Sequence, residues 1–85
     1  MTPQKVKVYT MSHCPYCVRA KQLLAQRGVS FQEFLVLEED DAQWDALFQK
    51  SGLRTMPQIF CEDQLIGGYS DLAELDEKDK LLSLK

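Results

Sequence analysis

The chain has 85 residues, 45% of them hydrophobic and 27% charged, with a formal net charge of −3. That length predicts one small domain over residues 1–85, and the apolar content excludes a disordered segment. The acidic balance excludes the basic footprint of a nucleic-acid binder, and no apolar run reaches the length of a membrane span, so neither is expected as a partner.

Met1-Thr2-Pro3-Gln4-Lys5 runs into a first strand without the apolar core of a signal peptide, which predicts a cytoplasmic protein. In that compartment three cysteines read as catalysis or metal binding rather than as a disulfide framework. The first strand covers residues 5–9, with Val6 and Val8 on one face. A helix follows, with Cys14 near its N-cap and Pro15 at its first position, where a missing N–H costs nothing. Gly28 stops it, Arg27 faces its negative end, and Cys17, Ala20, Leu23 and Leu24 form its inward row. Residues 31–37 read as a parallel strand beside the first, apolar enough to be buried on both faces.

A second helix is predicted over residues 40–50, with Trp44, Leu47 and Phe48 inward and Gly52 as its stop. Gln58-Ile59-Phe60-Cys61 and Gln64-Leu65-Ile66 read as an antiparallel hairpin turning at Glu62-Asp63. Gly67-Gly68 breaks the pattern, and a third helix starts near Ser70 as N-cap with Leu72 and Leu75 inward. Leu81, Leu82 and Leu84 are expected to continue the packing. The acids around residues 38–41 and 71–79 read as solvated helix surface and first-turn charge.

Cys14-Pro15-Tyr16-Cys17 at a strand-to-helix junction is the pattern of a thioredoxin-like redox site, although zinc sites share the same spacing. A thiol reacts as its thiolate, and a helix N-terminus favours that negative charge. Cys17 lies one turn along the same face and can reach Cys14, yet it points into the core row. The two thiols are therefore expected to be unequal: Cys14 attacks and Cys17 resolves. Pro57 precedes an apolar run and cannot donate a ladder bond, so it marks the start of a strand. The glycine pair allows close backbone approach, and the helix start after it presents N–H groups to a carboxylate. A plain glycine turn with a capped helix satisfies the same residues. Cys61 reads as a small apolar strand residue.

Three segments in order, Cys14-Pro15-Tyr16-Cys17, Arg54-Thr55-Met56-Pro57 and Gly67-Gly68-Tyr69-Ser70-Asp71-Leu72, resemble those of a glutaredoxin of the dithiol type, over nearly the whole length. The resemblance implies an α/β, thioredoxin-like fold with a four-stranded mixed sheet flanked by three helices, in the order β-α-β-α-β-β-α. It implies a glutathione-dependent thiol–disulfide oxidoreductase that reduces protein disulfides and protein–glutathione mixed disulfides, with glutathione as co-substrate and no metal. Its partners would be disulfide or glutathionylated proteins, ribonucleotide reductase among them, and it would act as a monomer. Tyr16 and Thr55 would line the glutathione groove together with Pro57, which would be cis and face the thiols. Met56 would pair its backbone with the cysteine residue of glutathione. Gly68 and Ser70 would meet the γ-glutamyl carboxylate and Asp71 its ammonium group.

Many glutaredoxins carry lysine three residues before the first cysteine, where this chain has Met11. Arg54 then becomes the best cation for the glycyl carboxylate, while His13, which could add positive character beside Cys14 when protonated, reads first as an exposed loop histidine. Two further readings stand beside this one. A glutaredoxin-like protein recharged by thioredoxin reductase is favoured by Met11 and disfavoured by Arg54, Gly67-Gly68 and Asp71. An iron–sulfur or zinc module on Cys14 would need four donors, with His13, Cys14, Cys17 and Cys61 available.

Overall fold

The computed structural model describes residues 5–62 and 64–78. Its elements are β1 (Val6–Thr10), α1 (Pro15–Gln26), β2 (Phe31–Leu35), α2 (Asp41–Ser51), β3 (Gln58–Cys61), β4 (Gln64–Gly67) and α3 (Tyr69–Glu77). The expected succession of strands and helices therefore holds, with boundaries moved by one or two residues. The expected packing of Leu81, Leu82 and Leu84 lies outside the described residues.

The four strands form one mixed sheet in the order β2-β1-β3-β4. β1 pairs parallel with β2, Val8 opposite Glu33, and antiparallel with β3, Val8 opposite Ile59. Alternation along the central strands builds two cores. Val6, Val8 and Ile59 face one side and pack with Ala20 and Leu24 of α1 and Leu72 of α3. Phe60 faces the other side, with Val36 and Leu47, and with Tyr9, Trp44 and Met56 partly buried around them. The sheet is thus covered by α1 and α3 on one face and by α2 on the other, the expected thioredoxin-like layering.

Two expectations are corrected and a third is extended. β2 is an edge strand, ends at Leu35, and is not buried on both faces: Leu35 and Leu37 are exposed, and only Val36 beyond its end is fully covered. An edge strand gains a neighbour on one side only, so its apolar content does not imply double burial. Phe48 is exposed as well, because α2 turns Leu47 into the core and leaves Phe48 beneath the Arg54 guanidinium, 4.2 Å from its ring centre. Arg27 does not merely face the end of α1. Its Nε and Nη2 donate to the two carboxylate oxygens of Asp76 at 2.7 and 3.1 Å, tying α1 to α3.

Local chemistry sets the helix ends. Cys14 caps α1, and Pro15 occupies its first turn. Asp40 caps α2 by accepting the Gln43 N–H, and Gly52 ends it at φ 74°, a left-handed turn that glycine makes without strain. Among the described residues, no helix is long and apolar enough to cross a membrane.

Candidate functional site

The end of β1 and the start of α1 hold the two thiols in different environments. Cys14, half-buried, sits at the N-cap with extended backbone, and its Sγ accepts the Cys17 N–H at 3.2 Å. A sulfur in that position replaces the side-chain oxygen of an ordinary N-cap and satisfies one of the orphan donors of the first turn. The donor and the helix dipole favour negative charge on sulfur. As a thiol, Cys14 donates to the Met56 carbonyl at 3.7 Å, which brings the two distant motifs together.

Cys17 is only 2% exposed. Burial, followed by the hydrogen bond with Cys14 and the repulsion of a charge there, pushes its thiol from 9.0 up to about 12. The Met11 backbone and the Lys21 ammonium pull the other way without prevailing. The two thiols of the motif therefore stand in unequal surroundings.

A groove of about 340 Å³ is lined by Tyr16, Thr55, Met56, Pro57, Gly68, Tyr69 and Ser70, and Cys14 Sγ contacts the carbonyl of its wall residue Met56. Six of the eight residues expected to meet a ligand thus share one wall. The Met56–Pro57 bond is cis, as the resemblance implied. The loop that carries it is anchored from below by Gln58, which is fully buried and donates through Nε2 to the Leu53 and Thr55 carbonyls at 3.0 and 3.1 Å. Gln58 went unnoticed in the sequence, where it reads as the first residue of a strand. Tyr69 was also missed as a wall residue; the aromatic directly after Gly67-Gly68 was the available signal. Its ring lies 5.9 Å from that of the exposed Tyr16, and the Arg19 guanidinium covers Tyr16 from 5.4 Å.

The other two expected residues stand off the groove wall. Arg54 is exposed, with Nη2 3.7 Å from Asp45 Oδ1 and its guanidinium on Phe48. Asp71 closes the start of α3: its Oδ2 accepts the Gly68 N–H at 3.1 Å. The N-cap of α3 is therefore Gly68 rather than Ser70. Gly67 is required here, since its φ is 129° and a Cβ would meet Asp71 Cγ at 2.6 Å.

A second hollow, about 570 Å³, is bordered by both thiols, Met11, His13, Lys21 and Glu33, among others. Glu33 Oε2 accepts from Lys21 Nζ at 2.9 Å and from Thr10 Oγ1 at 2.7 Å. Those two donors, lysine first, hold the Glu33 carboxyl below the usual carboxylate range. Nothing in the sequence singled out this trio, because the Val8–Glu33 register that brings β2 to the site is a tertiary fact. Among the described residues, no three side chains of His, Cys, Asp or Glu converge as a metal-binding group.

The glutaredoxin family profile matches residues 6–66. Glutaredoxin 3 of Escherichia coli K12 is 47% identical over 76 residues, covering 89% of this chain and 90% of that protein. A glutaredoxin of Pseudomonas aeruginosa is 42% identical over 79 residues, 93% of each chain. Among solved structures, a buckwheat glutaredoxin–glutathione complex is 32% identical, with a TM-score of 0.85 over 94% of this chain and 74% of that one. The matched span holds both thiols, the cis proline and the sheet that brings them together, and the chain belongs to the glutaredoxin family of thiol–disulfide oxidoreductases.

Proposed function

We propose that this protein reduces protein–glutathione mixed disulfides and protein disulfides, with glutathione as co-substrate, Cys14 as nucleophile and Cys17 as resolving thiol. The observation that carries the reading is Cys14 Sγ at a helix N-cap, 3.2 Å from the Cys17 N–H and 3.7 Å from the carbonyl of Met56, which walls a groove with Pro57 and the start of α3. The buckwheat relative solved with glutathione supports the choice of ligand. Cys14 thiolate attacks the glutathionyl sulfur, the protein thiolate leaves and takes a proton from water, and Cys14 holds the glutathionyl group. A second glutathione then attacks that sulfur, releasing glutathione disulfide and restoring Cys14. With a protein disulfide, Cys17 completes the exchange instead.

In the groove, glutathione would lie extended along Met56 like an added strand, flanked by Thr55, Pro57 and the Tyr16 ring, with its γ-glutamyl carboxylate at the N–H groups of Gly68 and Ser70. Asp71 would face the ammonium group. Arg54 would turn from Asp45 to the glycyl carboxylate, a small cost because an exposed ion pair contributes about 0–1 kcal/mol. The protein would work as a monomer in the cytoplasm on disulfide or glutathionylated proteins, with ribonucleotide reductase in that class. Turnover of a glutathionylated substrate with glutathione and glutathione reductase tests the reading. Activity only with thioredoxin reductase would replace glutathione as the electron source.

A further inference from the structure

Lys21 lies one turn beyond Cys17 on α1, so the two side chains share a face of the helix. Its ammonium is not loose: Glu33 holds it at 2.9 Å, and Thr10 fixes Glu33 in turn at 2.7 Å. The parallel pairing of β1 with β2 therefore decides where this charge sits. The titratable groups bordering the hollow are His13 from the loop before α1, Cys14, Cys17 and Lys21 from α1 and its cap, and Glu33 from β2. Lys21 is the one full cation among the described residues there.

We infer that Lys21, tethered by Glu33 and Thr10, is a positioning residue for the resolving step, setting how readily Cys17 attacks a mixed disulfide on Cys14. The role rests on the proposed division between the two thiols and goes beyond it. The Lys21 ammonium favours the anion on Cys17, and its influence on that thiol is already in this direction. Glu33 works against it, neutralising the ammonium and adding a negative charge to the same hollow. Lys21 and Glu33 thus act on Cys17 with opposite signs, although they are partners in one ion pair.

The step itself balances without further reagents. Cys17 gives its proton to water, and its sulfur attacks Cys14 Sγ. The Cys14–Cys17 bond forms, the bond between Cys14 and the substrate sulfur breaks, and the leaving thiolate is protonated by water. The two electrons that reduce the substrate disulfide come from the cysteine pair.

Single-turnover reaction of the reduced protein with the aromatic disulfide dithiobis(nitrobenzoate) separates the steps. The first nitrothiobenzoate anion reports attack by Cys14, and the second reports attack by Cys17. The pH profile of the second release is expected to move upward in Lys21→Gln, slowing it about 3- to 10-fold near neutrality. It is expected to move downward in Glu33→Gln, with Lys21→Arg restoring most of the parent rate. A merely structural ion pair would make Lys21→Gln and Glu33→Gln shift the profile in the same direction, or leave both unmoved. Either result overturns the assignment. Absence of a second release in the parent protein would instead overturn the resolving role of Cys17, and with it this role of Lys21.

Discussion

The Cys17 backbone N–H points at Cys14 Sγ from 3.2 Å, so the residue proposed to resolve the reaction also supports the sulfur proposed to start it. Its own sulfur is meanwhile held as a thiol by burial and by Cys14. One helical turn thus gives the two thiols different surroundings. Cys14→Ser removes the proposed nucleophile and should reduce exchange with any disulfide to the background of solution thiols. It should also relieve Cys17, whose titration should move down from about 12 as the hydrogen bond with Cys14 and the charge there are lost. Ultraviolet absorbance of the thiolate checks this, and an unshifted Cys17 would show that burial alone sets its acidity.

Gln58 predicts a link between the core and the groove. Gln58→Leu keeps the volume but leaves the Leu53 and Thr55 carbonyls without their donor. A cost of about 1 kcal/mol in urea denaturation is expected, at the lower end for orphaned polar groups because the carbonyls can rehydrate. The loosened loop should also raise the KM for glutathione more than it lowers kcat.

The ion pair at the hollow gives a pH dependence of defined sign. The Glu33 carboxyl titrates below its ordinary 4.5 in the folded chain, because Lys21 and Thr10 bond its charged form. Its contribution is therefore complete above that ordinary value and is lost as pH falls through the lower folded one. Glu33→Gln should be slightly less stable than the parent near neutrality, by about 0.5 kcal/mol for an exposed pair, and the difference should vanish in acid. Thermal denaturation of both proteins across that range measures it. Cys17 acts at the other extreme: its raised value protects the fold below about 9 and ceases to do so as pH rises towards about 12.

Met11 occupies the position where many glutaredoxins have lysine, and it borders the hollow rather than the groove. Met11→Lys should lower the KM for glutathione about 3- to 10-fold at low ionic strength, with the gain shrinking as salt is added. An unchanged KM would mean that Arg54 already serves the glycyl carboxylate.

Much of this was legible in the sequence because local rules dominate at the thiols. Cys14, Pro15 and Gly28 state where α1 begins and ends, and the alternation of Val6 and Val8 gives the strand before it. The groove was legible by resemblance, through Tyr16, Thr55, Met56, Pro57, Gly68 and Ser70. What escaped depends on register and on competition between partners. The edge position of β2 follows from sheet order, which an apolar run does not encode. Gly68 caps α3 because the Asp71 side chain reaches back to its N–H, leaving Ser70 inside the first turn. The Thr10–Glu33–Lys21 contact joins two strands and a helix, and no spacing along the chain announces it.

The two-thiol division is tested most directly by Cys17→Ser on two substrates side by side, a glutathionylated protein and a protein disulfide. On the proposed mechanism glutathione takes the place of Cys17 in the first reaction, whereas the second relies on Cys17. The variant should retain most of the parent rate on the glutathionylated protein and lose at least about 10-fold on the disulfide. Equal loss on both substrates, or undiminished reduction of the disulfide, would contradict the assignment of Cys14 to attack and Cys17 to resolve.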